Sequence, residues 1–130
     1  MAANTEGVKA VFSQDGILYT DSDQGRLDIG PEGPWPMDMV LMAVAGCSGL
    51  TFRSLLERDG FNPERLELSV EGIKNEKSPR KFVEIFVKYD IKCDGLTDSA
   101  VKKYIVITER SCPVVQSLSA KTHASYNLIQ

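Results

Sequence analysis

The sequence predicts an α+β fold in which mostly antiparallel sheets surround one long central helix. Three observations lead to this prediction. Strand-like and helix-like segments follow the segregated order β-β-β-α-β-β-α-α-β. One helical segment is apolar on nearly every side. Two later segments alternate apolar and polar residues, as half-buried strands do. The length of 130 residues suits a single domain over residues 1–130.

The composition excludes several classes of protein. Apolar residues make up 42% and charged residues 25% of the chain, which predicts a packed core. The net charge of -3 and the absence of a basic stripe argue against a nucleic-acid partner. No signal-peptide pattern opens the chain, and the longest apolar run, residues 39–47, is far shorter than the ~20 residues that span a bilayer. We therefore expect a cytoplasmic protein without a membrane partner, whose cysteines are reduced by default.

The N-terminal part, about residues 1–30, predicts a small meander of three strands. The strand-like runs are residues 8–12, 17–20 and 26–29, and turn signals stand between them. Three prolines and two glycines in residues 30–36 predict a rigid loop without regular structure.

The central helix is predicted over residues 36–59, because Pro36 suits a first helical position and Gly60 follows the last. One face carries Met37, Val40, Leu41, Val44, Cys47, Thr51 and Leu55, while Met39, Met42, Ala43, Gly46 and Leu50 cover much of the rest. A helix that is apolar all round is buried on several sides. We expect it to be wrapped by a sheet and by a second subunit. The methionines favour core packing over the lining of a site for an apolar ligand.

The C-terminal half predicts a strand pair over residues 65–92, two helices over 97–119 and a final strand over 121–129. In the second strand the core face is expected to carry Val83, Ile85, Val87, Tyr89 and Ile91. Thr97 is predicted to cap the first helix, and Pro113 to begin the second.

Two cysteines have unlike surroundings. Cys112 precedes Pro113, which favours an extended conformation and a sulfur facing the free N–H groups of a helix start. That position lowers a thiol pKa, although a packed apolar cysteine is the equal alternative. Cys47 lies in mid-helix among apolar residues, which raises a thiol pKa and by itself favours a structural role. If folding brings them together, they form a dithiol that can be oxidised and reduced.

The remaining candidates predict no cofactor and no metal. Cys93 ends a strand and is interpreted as a bystander. His123, the single histidine, has no partner at ligand spacing, and the sequence lacks CxxC, HxH and HExxH patterns. No glycine-rich loop links a strand to a helix, so nucleotide binding is not expected.

Two motifs resemble those of a known family. Residues 36–48, PMDMVLMAVAGCS, resemble the first cysteine motif of the OsmC/Ohr family, and residues 109–114, ERSCPV, resemble the second. The order of strands and helices between them is also similar, and the resemblance covers nearly the whole chain. It is strongest to the YhfA-like branch, in which Pro-Met-acidic replaces Pro-Glu.

The resemblance implies an OsmC-like fold, an intertwined homodimer with the long helices at its centre, and a thiol peroxidase. Its substrates would be organic hydroperoxides. By resemblance, Cys47 matches the peroxidatic cysteine and Cys112 the resolving cysteine, and a dithiol reductant would restore the pair.

The chain also departs from the family pattern. Active peroxidases carry a glutamate where this chain has Met37, and Asp38 comes one residue later. They also carry an activating arginine in the N-terminal strands. Here Lys9 is the one cation in residues 1–25, and Arg26 is the nearest substitute. We therefore take Asp38, Arg26 and Lys9 as candidate auxiliary charges.

Three functions stay open. The first is a peroxidase in oxidative stress defence. The second is a redox-sensing or small-apolar-ligand-binding dimer with little turnover, and the third is a structural dimer with two unreactive core thiols.

Overall fold

The computed structural model describes residues 6–16 and 18–130, and its strands and helices follow the predicted order. The chain forms two compact units, Met1–Val40 and Leu41–Gln130. That residues 1–130 make one domain stays a prediction.

The first unit contains an antiparallel meander. Its strands are β1 (Lys9–Phe12), β2 (Leu18–Ser22) and β3 (Gly25–Asp28). Residues 1–5 and Ile17, the predicted first residue of the second strand, lie outside the described residues.

The proline-rich segment departs from the prediction of an irregular loop. A 3-10 turn, Gly30–Glu32, follows β3, and the Gly33 N–H donates to the Gly30 carbonyl at 3.0 Å. Pro31 is compatible with such a turn, because its missing N–H stands where no partner is required.

Helix α1 (Pro36–Arg58) has nearly the predicted bounds but a different buried face. The fully buried stripe is Val44, Ser48, Phe52 and Leu56. The predicted stripe through Cys47, Thr51 and Leu55 lies at its half-buried edge. The prediction missed Ser48 because a polar residue is buried only when its hydroxyl has a partner, and that partner comes from a distant segment.

The apolar character of α1 extends beyond this stripe. Met42 is 56% and Leu50 60% exposed. By length and composition the helix could span a membrane, with a mean hydropathy of 1.6 over an 18-residue window of which 22% is buried. Core helices of soluble proteins pass the same test, so this is weak evidence. The absence of a membrane partner stays a prediction.

The second unit contains a three-stranded sheet of mixed direction. Its strands are β4 (Arg65–Lys74), β5 (Phe82–Lys92) and β6 (Lys121–Ile129). Strand β4 pairs with β5 antiparallel, whereas β6 pairs with β5 in parallel. The parallel pair arises because α2 (Asp98–Ser111) and α3 (Pro113–Gln116) form a crossover between the two strands. The fold is therefore α+β with mostly antiparallel pairs, as predicted.

The beginning of β5 corrects one prediction. Val83 was expected on the core face, but it is 37% exposed, and Phe82 is buried instead. The register shifts here: Ile73 pairs with Glu84 and Lys74 with Phe82, so Val83 has no partner on β4. Such a bulge moves neighbouring side chains to the opposite face. Beyond it, the other predicted core residues are buried as expected: Ile85, Val87, Tyr89 and Ile91.

Aromatic rings hold α1 against the sheet and α2. The Phe52 ring lies 4.9 Å from that of Tyr89 and meets that of Tyr104 edge-on at 6.2 Å. The predicted cap of α2 is confirmed, because the Thr97 hydroxyl accepts a hydrogen bond from the Ala100 N–H at 3.2 Å. These contacts fix the two helices that carry the site described below.

We predict that Gly72→Ala destabilises the protein. A Cβ at this position would lie 2.5 Å from the Phe82 ring and 3.2 Å from a Leu41 methyl group. Overpacking of this kind costs about 1–3 kcal/mol of unfolding free energy, which urea denaturation measures. Gly49→Ala is the matched control, because its Cβ would make an ordinary 3.6 Å contact with Leu68 inside a helix. Equal midpoints for the two variants would contradict the described bulge.

Candidate redox site

The position of Cys112 follows from its proline neighbour. Its backbone is extended, with φ -72° and ψ 110°, as a residue before proline requires. Its N–H donates to the Thr108 carbonyl at 2.9 Å, and its carbonyl accepts from the Gln116 N–H at 3.0 Å. Cys112 therefore ends α2 and begins α3, and its side chain is completely buried.

The structure brings Cys47 and Cys112 together. Both are free cysteines, and each thiol is among the main influences on the pKa of the other. The Ser48 hydroxyl also donates to the Cys112 sulfur, at 3.9 Å. The pair thus joins α1 to the junction between α2 and α3. The roles of the two cysteines stay predictions.

The pKa of Cys112 lies below its ordinary value. Burial acts to raise it, but the hydrogen bond with Cys47, the Val115 N–H and the Ser48 hydroxyl together outweigh burial. Neither Val115 nor its neighbour Val114 makes a well-aligned capping hydrogen bond, yet both N–H groups favour the thiolate. This agrees with the direction expected for a sulfur at a helix start.

The pKa of Cys47 is raised, as its mid-helix position predicts. Burial is the largest cause, and the hydrogen bond with Cys112 acts in the same direction. The Val114 N–H and the Thr51 hydroxyl oppose them without reversing the shift. The Cys112 thiol is therefore the more acidic of the two.

The sequence analysis missed two polar side chains close to this pair. Ser48 is 3% exposed, and its hydroxyl acts to lower the pKa of Tyr89, which is 1% exposed. Burial, followed by the charge of Glu109, raises the pKa of Tyr89 far above its usual range, so the phenol keeps its proton. Burial also raises the pKa of Glu109. Two features of the sequence could have indicated these residues: Ser48 is adjacent to Cys47, and Tyr89 lies on the predicted core face of β5.

The candidate auxiliary charges belong to the first unit. The Arg26 guanidinium pairs with Asp28 at 3.0 Å and lies 3.8 Å from the centre of the Tyr19 ring. Lys9 stands opposite Asp21 in the β1–β2 pair, and Asp38 lies in the first turn of α1. Any action of these three residues on Cys47 stays a prediction.

Cys93 and His123 have partners of their own. Cys93 is buried, and its thiol lies 3.8 Å from the Asp94 carbonyl oxygen. His123 Nε2 lies 3.0 Å from a Glu84 oxygen, and its ring stacks on Phe86 at 4.7 Å. In residues 6–16 and 18–130 no group of three or more His, Cys, Asp or Glu side chains could hold a metal ion.

Comparison with known families gives a clear result. A model of OsmC-like proteins matches residues 29–127, about three quarters of the chain. The chain belongs to the OsmC-like protein family. Protein YhfA of Escherichia coli K12 is 28% identical over 99 residues, which cover 75% of this chain and 74% of YhfA. The predicted resemblance is thereby confirmed.

Solved structures of OsmC-like proteins share the fold. An OsmC-like protein from Mycoplasma pneumoniae superposes with a TM-score of 0.85 at 18% identity, over 99% of this chain and 100% of the other. The organic hydroperoxide resistance protein OhrB of Bacillus subtilis gives 0.61 at 19% identity, over 98% and 99% of the two chains. At these identities the likeness shows the fold alone, and it confirms the predicted OsmC-like architecture.

We predict that the two thiols ionise in a fixed order. In a Cys93→Ser background, the Cys47→Ser variant leaves Cys112 as the titrating thiol, and Cys112→Ser leaves Cys47. Thiolate absorbance near 240 nm should appear below the ordinary cysteine pKa for Cys112 and above it for Cys47, because their surroundings differ in the ways described. In denaturant the two variants should titrate alike. The opposite order in the folded proteins would contradict the described site.

Proposed function

We propose that this OsmC-like protein is a thiol-dependent peroxidase that reduces organic hydroperoxides through a Cys47/Cys112 dithiol–disulfide cycle. The observation that carries the proposal is the pair of free thiols that influence each other's pKa, with the hydroxyl of Ser48, the neighbour of Cys47, 3.9 Å from the Cys112 sulfur. Family membership and the fold shared with an organic hydroperoxide resistance protein support this choice of substrate.

The exposure of the two thiols supports the roles proposed for them in this cycle. Cys47 is partly exposed, whereas Cys112 is completely buried, so an incoming peroxide meets Cys47 first. The Cys47 sulfur attacks the terminal peroxide oxygen; an S–O bond forms and the O–O bond breaks. The alcohol leaves with a proton, the peroxide is reduced, and Cys47 is oxidised to a sulfenic acid.

Resolution uses the neighbouring thiol. The Cys112 sulfur attacks the sulfenic sulfur, an S–S bond forms, the S–O bond breaks, and water leaves. A dithiol reductant then exchanges with the disulfide, restores both thiols and is itself oxidised to a disulfide. This cycle requires no cofactor. We propose the cytoplasm as its location and oxidative stress defence as its purpose.

A homodimer is part of this proposal. The apolar residues Met42 and Leu50 of α1 are exposed, and 22% of the apolar window of this helix is buried. A groove of about 370 Å³ runs between α1 and β4, with Leu50 and Leu68 in its lining. Exposed apolar surface of this kind is typical of an interface, and we propose a second copy of the chain as the partner.

One observation favours the redox-sensing alternative. The principal influences on Cys47 that come from Leu41–Gln130 are burial, Cys112, Val114 and Thr51, and none of these groups is a cation. A thiol without a stabilising cation reacts slowly as a nucleophile. A dimer that is oxidised once and turns over little would suit this environment.

We predict that the protein consumes cumene hydroperoxide in the presence of a dithiol reductant. Cys47→Ser should abolish turnover, because the attacking sulfur is lost. Cys93→Ser is the matched control and should keep the wild-type rate, because Cys93 is not among the main influences on either thiol of the pair. Peroxide consumption is followed by a colorimetric assay. If Cys47→Ser leaves the rate unchanged, the peroxidase proposal fails; oxidation of one equivalent without turnover would favour the redox sensor.

We predict that Leu50→Glu dissociates the dimer. A carboxylate buried without a partner costs about 3–5 kcal/mol, which should shift the mass measured by analytical ultracentrifugation toward that of a monomer. Val106→Glu is the matched control, because Val106 is 46% exposed on a different helix. A wild-type protein that sediments as a monomer would refute the proposed assembly.

A further inference from the structure

A buried hydroxyl group holds the sulfur of Cys112. The Ser48 hydroxyl donates a hydrogen bond to the Cys112 Sγ at 3.9 Å, and the two residues are 3% and 0% exposed. Sulfur is a weak acceptor, but water does not compete for either group at this depth. The bond therefore joins α1 to the junction between α2 and α3 in the part of the site that is shielded from solvent.

The Ser48 hydroxyl bonds across the fold and not within its own helix. A serine or threonine inside a helix commonly donates to a carbonyl group of the preceding turn. Thr51 does so, because its hydroxyl donates to the Cys47 carbonyl at 2.9 Å. Ser48 lies three residues earlier in the same helix, yet it donates to a residue 64 positions away in the sequence. Its hydroxyl therefore serves a contact that only the tertiary fold creates.

The backbone of Cys112 is fixed, so its sulfur moves mainly by rotation of the side chain. The Cys112 N–H donates to the Thr108 carbonyl at 2.9 Å, and its carbonyl accepts from the Gln116 N–H at 3.0 Å. Pro113 in addition restricts the backbone of Cys112 to the extended region. Rotation about the Cα–Cβ bond has three staggered positions. The hydrogen bond from Ser48 favours the position that places the sulfur against α1.

The position of this sulfur matters because Ser48 directly follows Cys47 in α1. A sulfur that is bonded to the Ser48 hydroxyl lies against the turn of α1 that carries the Cys47 thiol. We propose that Ser48 is a positioning residue that holds the Cys112 sulfur for closure of the Cys47–Cys112 disulfide. This inference rests on the proposed function. Ser48 acts through Cys112 and does not contact the peroxide.

The step that Ser48 assists is the resolution of oxidised Cys47. The Cys112 sulfur attacks the sulfenic sulfur, the S–S bond forms and the S–O bond breaks. The departing hydroxide takes the Cys112 proton and leaves as water, so Ser48 neither gains nor loses a proton. Such an attack requires a defined position of the entering sulfur, and a freely rotating side chain would reach it less often. The effect of Ser48 should therefore fall on disulfide closure and not on the first attack by Cys47.

The test measures the two steps separately in a Cys93→Ser background without reductant. Peroxide consumption follows the first step, and mass spectrometry after alkylation follows the disulfide. Ser48→Ala should consume the first equivalent of cumene hydroperoxide at the parent rate but close the disulfide roughly 3- to 10-fold more slowly, because one hydrogen bond and one rotamer preference are lost. Dimedone should label more Cys47 sulfenic acid in this variant. Equal rates of closure would overturn the proposal.

Thr108→Val is the matched control for the loss of a buried hydroxyl. Thr108 is 0% exposed, and its hydroxyl has no hydrogen-bond partner in the part of the chain that the structure describes. Valine keeps the shape of this side chain, and no bond to the Cys112 sulfur is lost. The variant should close the disulfide at the parent rate. If Thr108→Val slowed closure as much as Ser48→Ala does, the positioning role of Ser48 would be refuted. Circular dichroism checks folding, and alanine at position 48 favours the helix.

A second oxidant, diamide, separates this inference from the peroxidase function. The Cys47 sulfur adds to the N=N bond of diamide; the Cys112 sulfur then attacks Cys47, the S–S bond forms, the S–N bond breaks, and the hydrazine leaves with both protons. If the parent consumes no peroxide but Ser48→Ala still slows closure with diamide, the peroxidase function fails and the positioning role stands. If diamide closes the disulfide equally fast in both proteins, or forms none in the parent, the positioning role fails.

Discussion

The packing of Phe52 between Tyr89 and Tyr104 is the contact on which the site depends. It fixes α1 against the sheet and against α2. Ser48 lies one helical turn before Phe52 on the same buried stripe, so the same contact sets its hydroxyl against the Cys112 sulfur.

The two thiols differ because their backbones differ. A cysteine within a continuous helix has N–H neighbours that are already bonded to carbonyl groups, so its sulfur gains nothing from them. A cysteine between two helices stands beside N–H groups that are still unpaired. Burial acts to raise the pKa of both thiols, and yet the pKa values of Cys47 and Cys112 shift in opposite directions. One thiol of the pair, Cys47, is therefore accessible from solvent, while the other, Cys112, is the one that ionises more readily.

Short-range patterns in the sequence were sufficient to predict most of the fold. Proline at position 36, the Thr97 cap and the alternation along β4 are short-range signals, and the structure confirms each of them. The bulge at Val83 and the parallel direction of β6 depend on partners distant in sequence, so no local pattern reveals them. The candidate site also combines features that the sequence predicts with features that it does not. The pKa directions of both cysteines follow from position in a helix, whereas the burial of Ser48 follows from contacts made only after folding.

The crossover between β5 and β6 has a consequence for how the chain matures. Cys112 lies inside this crossover, and the segment is closed only when β6, near the end of the chain, joins β5. Closing a long loop costs chain entropy that is recovered only by contacts distant in sequence, so this step comes late in folding. During synthesis, therefore, Cys47 is made and its helix can form well before Cys112 has a fixed place. A nascent chain that has not yet reached Cys112 therefore carries Cys47 without the partner thiol.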